Sequence, residues 1–334
     1  MKGLRELAAS AALALGVAAG LPAAAQVASM GPGTATIRAS GSYPADHLST
    51  KAMERFASAV ATTTSGQLKI EVAPGAGSVD QLVDGLQKGD PAIIWVELAQ
   101  FARVAPELQA LTLPFLMPSR EQAFKVVEGP VVDLINVWLR ARNFLVLGYM
   151  DAGLSPLFTA DKPVRTIEDL KGLQLAVRDD AHAAAWRTVG AEPKVMPAPD
   201  AFAALKQGQI QGLEAPYGAL LADLPQQAQG YVSGINPIIH YVVVVANRQR
   251  WNRMPIEHQH VAEQAMRNAV IWERGATAAA EDAAWAKLED RGLVRQEVSA
   301  ELDQRLWGEA AGLVEQARKA AGKEFVNAII AEAR

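Results

Sequence analysis

From Thr34 onward the chain alternates between two hydrophobic periods. Residues 34–40 read as a strand, and residues 67–72 (QLKIEV) alternate polar and apolar, the period of a half-buried strand. Between them Met53, Phe56 and Val60 fall on one face of a helix that Gly66 ends. A turn at 74–77 and a short helix at 79–88 lead to 92–96 (AIIWV), an unbroken apolar run. Such a run suits a strand buried on both faces of a parallel sheet. Strand, helix, strand, helix, strand is the α/β pattern. It continues with strands at 144–148, 173–177, 194–196 and 241–246, and helices at 181–189 and 201–206. Thr166 with Asp169 three residues on is a variant capping box. From Ile256 to about Asp290 there is no proline and one glycine, which predicts a single long helix, bent near Gly275. A strand at 293–298 and two closing helices complete the reading.

The first residues carry Lys2 and Arg5, then an apolar run from Leu7 to Leu21, then PAAAQ. A basic start, a short apolar middle and an Ala-x-Ala site predict a secretory leader cleaved near Ala25. The alternative is an uncleaved anchor, but the run is shorter than the roughly twenty residues of a membrane span. The expected location is therefore the periplasm. The chain has no cysteine, which removes disulfides, thiol catalysis, Cys-ligated metals and a lipid-modified N-terminus. A net charge of −4 gives no electrostatic case for nucleic acid. His258 and His260 are two apart, so on a helix they point away from each other and cannot share a metal. No nucleophile elbow, zinc-protease or phosphate-loop motif is present. Neither a cofactor nor catalysis is expected.

Residues 166–178 (TIEDLKGLQLAVR), 190–197 (GAEPKVMP) and 203–216 (AALKQGQIQGLEAP) resemble signposts of one family. So do Asp46-His47 with the helix after them, 105–116 (APELQALTLPFL) and 147–153 (LGYMDAG), all in the same order. The family is that of the solute-binding subunits of tripartite ATP-independent periplasmic (TRAP) transporters, often called DctP. The resemblance implies a periplasmic-binding-protein-like α/β fold of two domains, a ligand cleft between them and a long helix spanning both. On this chain that places one domain at 34–152 and about 241–280. The other falls at 153–240 and about 289–334, with the bracing helix at about 256–290. It also implies a monomer that closes on a small organic acid and hands it to the small and large permease subunits.

In that family an arginine in the strand after DLKG usually grips the ligand carboxylate, because its two parallel donors match two oxygens. Here that position is Ala176, with Arg178 two residues on and so on the same strand face. Arg178 either points into the cleft or is a solvated rim residue beside Asp179 and Asp180. Three further contact positions implied by the resemblance carry Ser155, Ala198 and Ala215. Small side chains at these places fit a ligand that is larger, bulky or aromatic, or less anionic. Other expected wall residues are Tyr43, Trp95, Glu97, Asp151, Glu214 and Tyr217. Glu97 and Glu214 would suit a cationic or hydroxylated ligand if unpaired; alternatively they bond backbone donors and order the hinge, the reading favoured for Glu214. Two other functions stay open: a binding protein that feeds a sensor, and an exported enzyme on the same scaffold.

Overall fold

The computed structural model describes residues 34–334; the expected leader and its cleavage site lie outside them. In chain order its strands are β1 (Ala35–Gly41), β2 (Leu68–Ala73), β3 (Ile93–Glu97), β4 (Phe144–Asp151), β5 (Leu157–Thr159), β6 (Gln174–Val177), β7 (Glu192–Val195), β8 (Gly212–Glu214), β9 (Gly230–Ser233), β10 (Tyr241–Asn247) and β11 (Leu293–Gln296). They form two mixed sheets, ordered β2-β1-β3-β10-β4 and β11-β9-β5-β8-β6-β7.

All seven residues of β10 are buried because successive side chains leave opposite faces of the sheet and both faces are covered. Tyr241, Val243 and Val245 enter one apolar core with Ile94 and Val96 of β3. Val242, Val244 and Ala246 enter another with Ile93 and Trp95. The unbroken apolar runs were expected to mark parallel neighbours. β3 does run parallel to β1, but β10 is antiparallel to both β3 and β4. Burial on two faces, rather than strand direction, is what makes these strands wholly apolar.

The chain crosses between the two sheets at residues 152–156 and 234–240, and the amide of Ala152 donates to the carbonyl of His240 at 3.2 Å. The helix Ile256–Asp290 makes a third connection and continues through Gly275 without a break. Its Ala262, Met266, Ala269 and Val270 pack in the core of the first lobe, and Ala284, Trp285 and Leu288 in that of the second.

Three helices follow β11, not two: Ala300–Glu309, Ala311–Ala321 and Lys323–Ala333, the last pair broken at Gly322, whose φ is 91°. The final two bury Val314, Phe325, Val326 and Ile329 in the core of the first lobe. This corrects the expected placement of 311–334 in the second domain. An amphipathic stripe says that a helix must be covered, not by which lobe.

Candidate functional site

Glu97 ends β3 on the rim of the first sheet, and Arg178 follows β6 on the rim of the second. The chain therefore brings them together from the two lobes. Nη2 of Arg178 lies 2.9 and 3.0 Å from the two Glu97 oxygens. The carboxylate is 8% exposed and also accepts from Nε2 of Gln100 at 3.1 Å. Burial alone would raise its pKa, but the adjacent His240 and the charge of Arg178 hold it at about 2. Arg178 thus stands on the rim, with 45% of its side chain exposed, and pairs with a carboxylate of the other lobe. Its guanidinium also reaches Asp179, at 3.4 Å.

Two histidines complete the cluster, and the sequence reading passed over both. His240 stands immediately before β10, with Nδ1 3.2 Å from a Glu97 oxygen. His182 lies in the first turn of the helix Asp180–Thr188, which Asp179 caps. Oδ1 of Asp179 accepts from the backbone amide of His182 at 3.0 Å and lies 2.7 Å from its Nδ1. Burial opposes ionisation of Asp179, but these donors keep its carboxyl far below the usual range. The Nε2 atoms of His182 and His240 are 3.1 Å apart, and both side chains are buried. The ring planes are within 18° of parallel, with centroids 5.0 Å apart. Asp-x-x-His at a helix start was the legible hint for His182; nothing local marks His240.

Tyr43 borders the cluster, stacked on His47 at 4.3 Å, and burial with the nearby Glu97 charge pushes its hydroxyl pKa up. Glu214, on β8, has both carboxylate oxygens buried without a hydrogen-bond partner. That overturns the expectation that it bonds backbone donors. Burial raises its pKa to about 7, opposed by nearby His182.

The remaining expected residues lie elsewhere. Trp95 is wholly buried, its indole packed where a Cβ on Gly41 would sit, so it supports the site from within the core. Ala176 and Ala215 are buried in the second lobe's apolar cluster, Ser155 is buried in the first crossing, and Ala198 is exposed at the start of a helix. Asp151 belongs to a separate cluster at the crossings. It pairs with Nε of Arg120 at 2.6 Å, and Arg120 also pairs with Glu281 of the long helix. Glu281 accepts from the amide of Leu154 at 2.7 Å, and Glu273 from that of Asp151 at 2.8 Å. The long helix is thereby tied to the end of β4 and to the first crossing. Tyr217 lies edge-on to Trp285 and lines a cavity of about 520 Å³ with Arg120, Leu154, Phe115, Ile235 and Ile239. Among the described residues no cluster of His, Asp or Glu is arranged to hold a metal, and no helix is long and apolar enough to cross a membrane.

Comparison with known proteins agrees with this architecture. The profile of the bacterial extracellular solute-binding proteins, family 7, matches residues 39–319. The 2,3-diketo-L-gulonate-binding periplasmic protein of Escherichia coli is 24% identical over 264 residues, 78% of this chain and 80% of that protein. The C4-dicarboxylate-binding periplasmic protein of Rhodobacter capsulatus is 23% identical over 78% of this chain and 79% of its own length. A TRAP periplasmic solute-binding protein of Ochrobactrum anthropi superposes with a TM-score of 0.82 at 24% identity, covering 91% of this chain and 96% of the other. The sugar acid-binding protein of Advenella mimigardefordensis, solved with galactonate, superposes at 0.70 with 22% identity, covering 91% and 99%.

Proposed function

The chain belongs to the bacterial extracellular solute-binding proteins of family 7, and from that premise we propose that it captures a small organic acid between its two lobes. Capture proceeds by closure about the crossings at 152–156 and 234–240, and the loaded protein passes its ligand to the membrane subunits of a TRAP-type permease. It acts in the periplasm, as a monomer, and holds its ligand without altering it. The family is one of solute receptors rather than enzymes.

The observation that carries this reading is the Arg178–Glu97 pair, which joins the rims of the two lobes. A guanidinium with one face on Glu97 and 45% of its side chain exposed is placed to take a ligand carboxylate. Contacts that exist only with the lobes together are what make a ligand drive closure. Glu97 and Tyr43 supply acceptors and a donor for hydroxyl groups. The site therefore suits a hydroxylated monocarboxylate better than a plain diacid. Relatives solved with galactonate and with L-gulonate have ligands of that kind.

The test is a thermal-shift and calorimetric screen of galactonate, gulonate, succinate, an aromatic acid and a cationic amine. Sugar acids are expected to raise the melting temperature by mass action on the native state. Arg178→Ala should then weaken binding at least tenfold. Stabilisation by succinate equal to that by the sugar acids would sink the hydroxylated class, and unchanged affinity in Arg178→Ala would remove the anchor.

A further inference from the structure

The cavity of about 520 Å³ is separate from the Glu97–Arg178 site, none of whose residues lines it. The second crossing borders both: Ile239 lines the cavity, and its neighbour His240 stands beside Glu97. The walls come from both lobes. Met117 and Arg120 belong to the first, where the helix Arg120–Glu128 buries Ala123 and Val126. Tyr217 and Leu306 belong to the second, and Leu154, Ile235 and Ile239 to the two crossings. Phe115 fixes the loop that spans the gap. It lies just before the first lobe's helix, yet its ring sits in the core of the second lobe, edge-on to Trp186 with centroids 5.9 Å apart. Its amide donates to the carbonyl of Pro237 at 2.8 Å. Its φ of 54° is one that a bulky side chain rarely adopts, and these contacts hold it there.

The lining selects the occupant. Phe115, Met117, Leu154, Ile235, Ile239 and Leu306 are apolar. Both charged groups are already paired, Arg120 with Asp151 and Glu281, and Asp303 with Arg334. An ion entering would give up water and gain no partner of its own. Asn236, which also lines the cavity, is different. Its amide nitrogen donates to the carbonyl of Gly234 at 2.9 Å, but its Oδ1 is buried with no hydrogen-bond partner. A buried acceptor left unpaired is costly, and an occupant with one donor relieves it. We propose that this cavity is a second binding site, for a small, neutral, largely apolar molecule with a hydroxyl donor, and that filling it favours the joined lobes. Its volume is within the range of about 300–1,000 Å³ typical of small-molecule pockets. Walls from both lobes give the occupant its leverage. The cavity has this shape with Arg178 on Glu97, so a molecule that fits it binds the joined arrangement better than one in which the lobes have moved apart. Differential affinity of that kind shifts the balance toward the joined state.

The effect on the lobes rests on reading the cleft as one that opens and closes, whereas binding in the cavity does not, and neither test needs a sugar acid. The probe is p-cresol, a phenol with a pKa of about 10 and so neutral at pH 7.5. Calorimetry on the full chain should show one p-cresol site. Benzoate, which is charged, and 4-methylanisole, which lacks the donor, should bind at least tenfold more weakly. Asn236→Leu removes the acceptor, and Ala300→Phe fills the cavity from an exposed position at its edge; each should weaken p-cresol at least tenfold. Because the chain has no cysteine, Ala76→Cys and Lys194→Cys place one dye beyond the end of β2 and one near the end of β7, both exposed and on different lobes. Saturating p-cresol alone should raise the energy transfer between them. Benzoate or 4-methylanisole binding as tightly as p-cresol would overturn the ligand class, even if neither cavity variant folded. Affinity retained in either variant that folds would place p-cresol elsewhere and overturn the site. Energy transfer unchanged at saturating p-cresol would overturn the effect on the lobes and leave the sugar-acid reading untouched.

Discussion

Replacing Arg120 by methionine tests what holds the long helix to the crossings. Methionine keeps much of the length and volume of the side chain and removes only the charge. Arg120 is 22% exposed and stands between Asp151, 2% exposed, and Glu281, 14% exposed. Without it two buried carboxylates lose their shared partner, leaving only the more distant Arg274 to act on Asp151. Removing one partner of a buried ion pair costs about 3–5 kcal/mol, because the remaining charge stays desolvated. For a chain of this length the unfolding entropy is about 0.6 kcal/mol/K, so the melting temperature should fall by about 5–8 °C at pH 7.5. The loss must depend on pH. Burial already raises the pKa of Asp151 and of Glu281 against the pull of Arg120. In the variant both rise further, and a carboxyl raised in the folded state weakens folding only above its unfolded value, near 4. The deficit should therefore shrink to about 1 kcal/mol, the lost packing, as pH falls to about 4.5. Urea unfolding of both proteins at the two pH values measures this directly. A loss below 1 kcal/mol at pH 7.5, or one of equal size at both pH values, would refute the account of the cluster.

Glu214→Gln should stabilise the protein at pH 8, by up to about 3 kcal/mol, since a carboxyl raised from 4.5 to about 7 weakens folding above that range. The gain should vanish below pH 4.5; a gain that persists there would mean that charge is not its source. Gly41→Ala would set a Cβ 2.0 Å from the Trp95 ring, so a cost of about 1–3 kcal/mol is expected in urea. Gly218→Ala, with no atom within 4 Å of the added carbon, should instead be neutral or stabilising by about 1 kcal/mol, and an equal loss in both would void the packing argument.

What was legible in the chain follows the reach of each physical cause. Strands such as β2 and β10 announce themselves because burial of alternate or of all side chains is written into neighbouring residues. The capping of the turn after Thr166 was equally readable: Asp169 accepts from the amide of Thr166 at 2.8 Å, a contact only three residues long. The short strands β5, β8 and β9 and the helices Arg120–Glu128 and Val131–Ala141 went unread, the strands having too few residues to show a period. The site divides along the same line. Glu97 and Arg178 were each picked out, but their partnership spans 81 positions, so each was weighed alone and neither reading of Arg178 foresaw a carboxylate from the other lobe. His240 is harder still. A histidine ahead of an apolar strand carries no local mark, and it becomes a link only because β10 threads between β3 and β4 and brings it beside Glu97 and His182. Side-chain type thus states what a residue is able to donate or accept. Which atom receives it is decided by strand order, and strand order is set by the burial of whole faces. A substitution that leaves the cluster untouched but alters how β10 packs should therefore disturb the histidine pair as surely as a change to the histidines themselves.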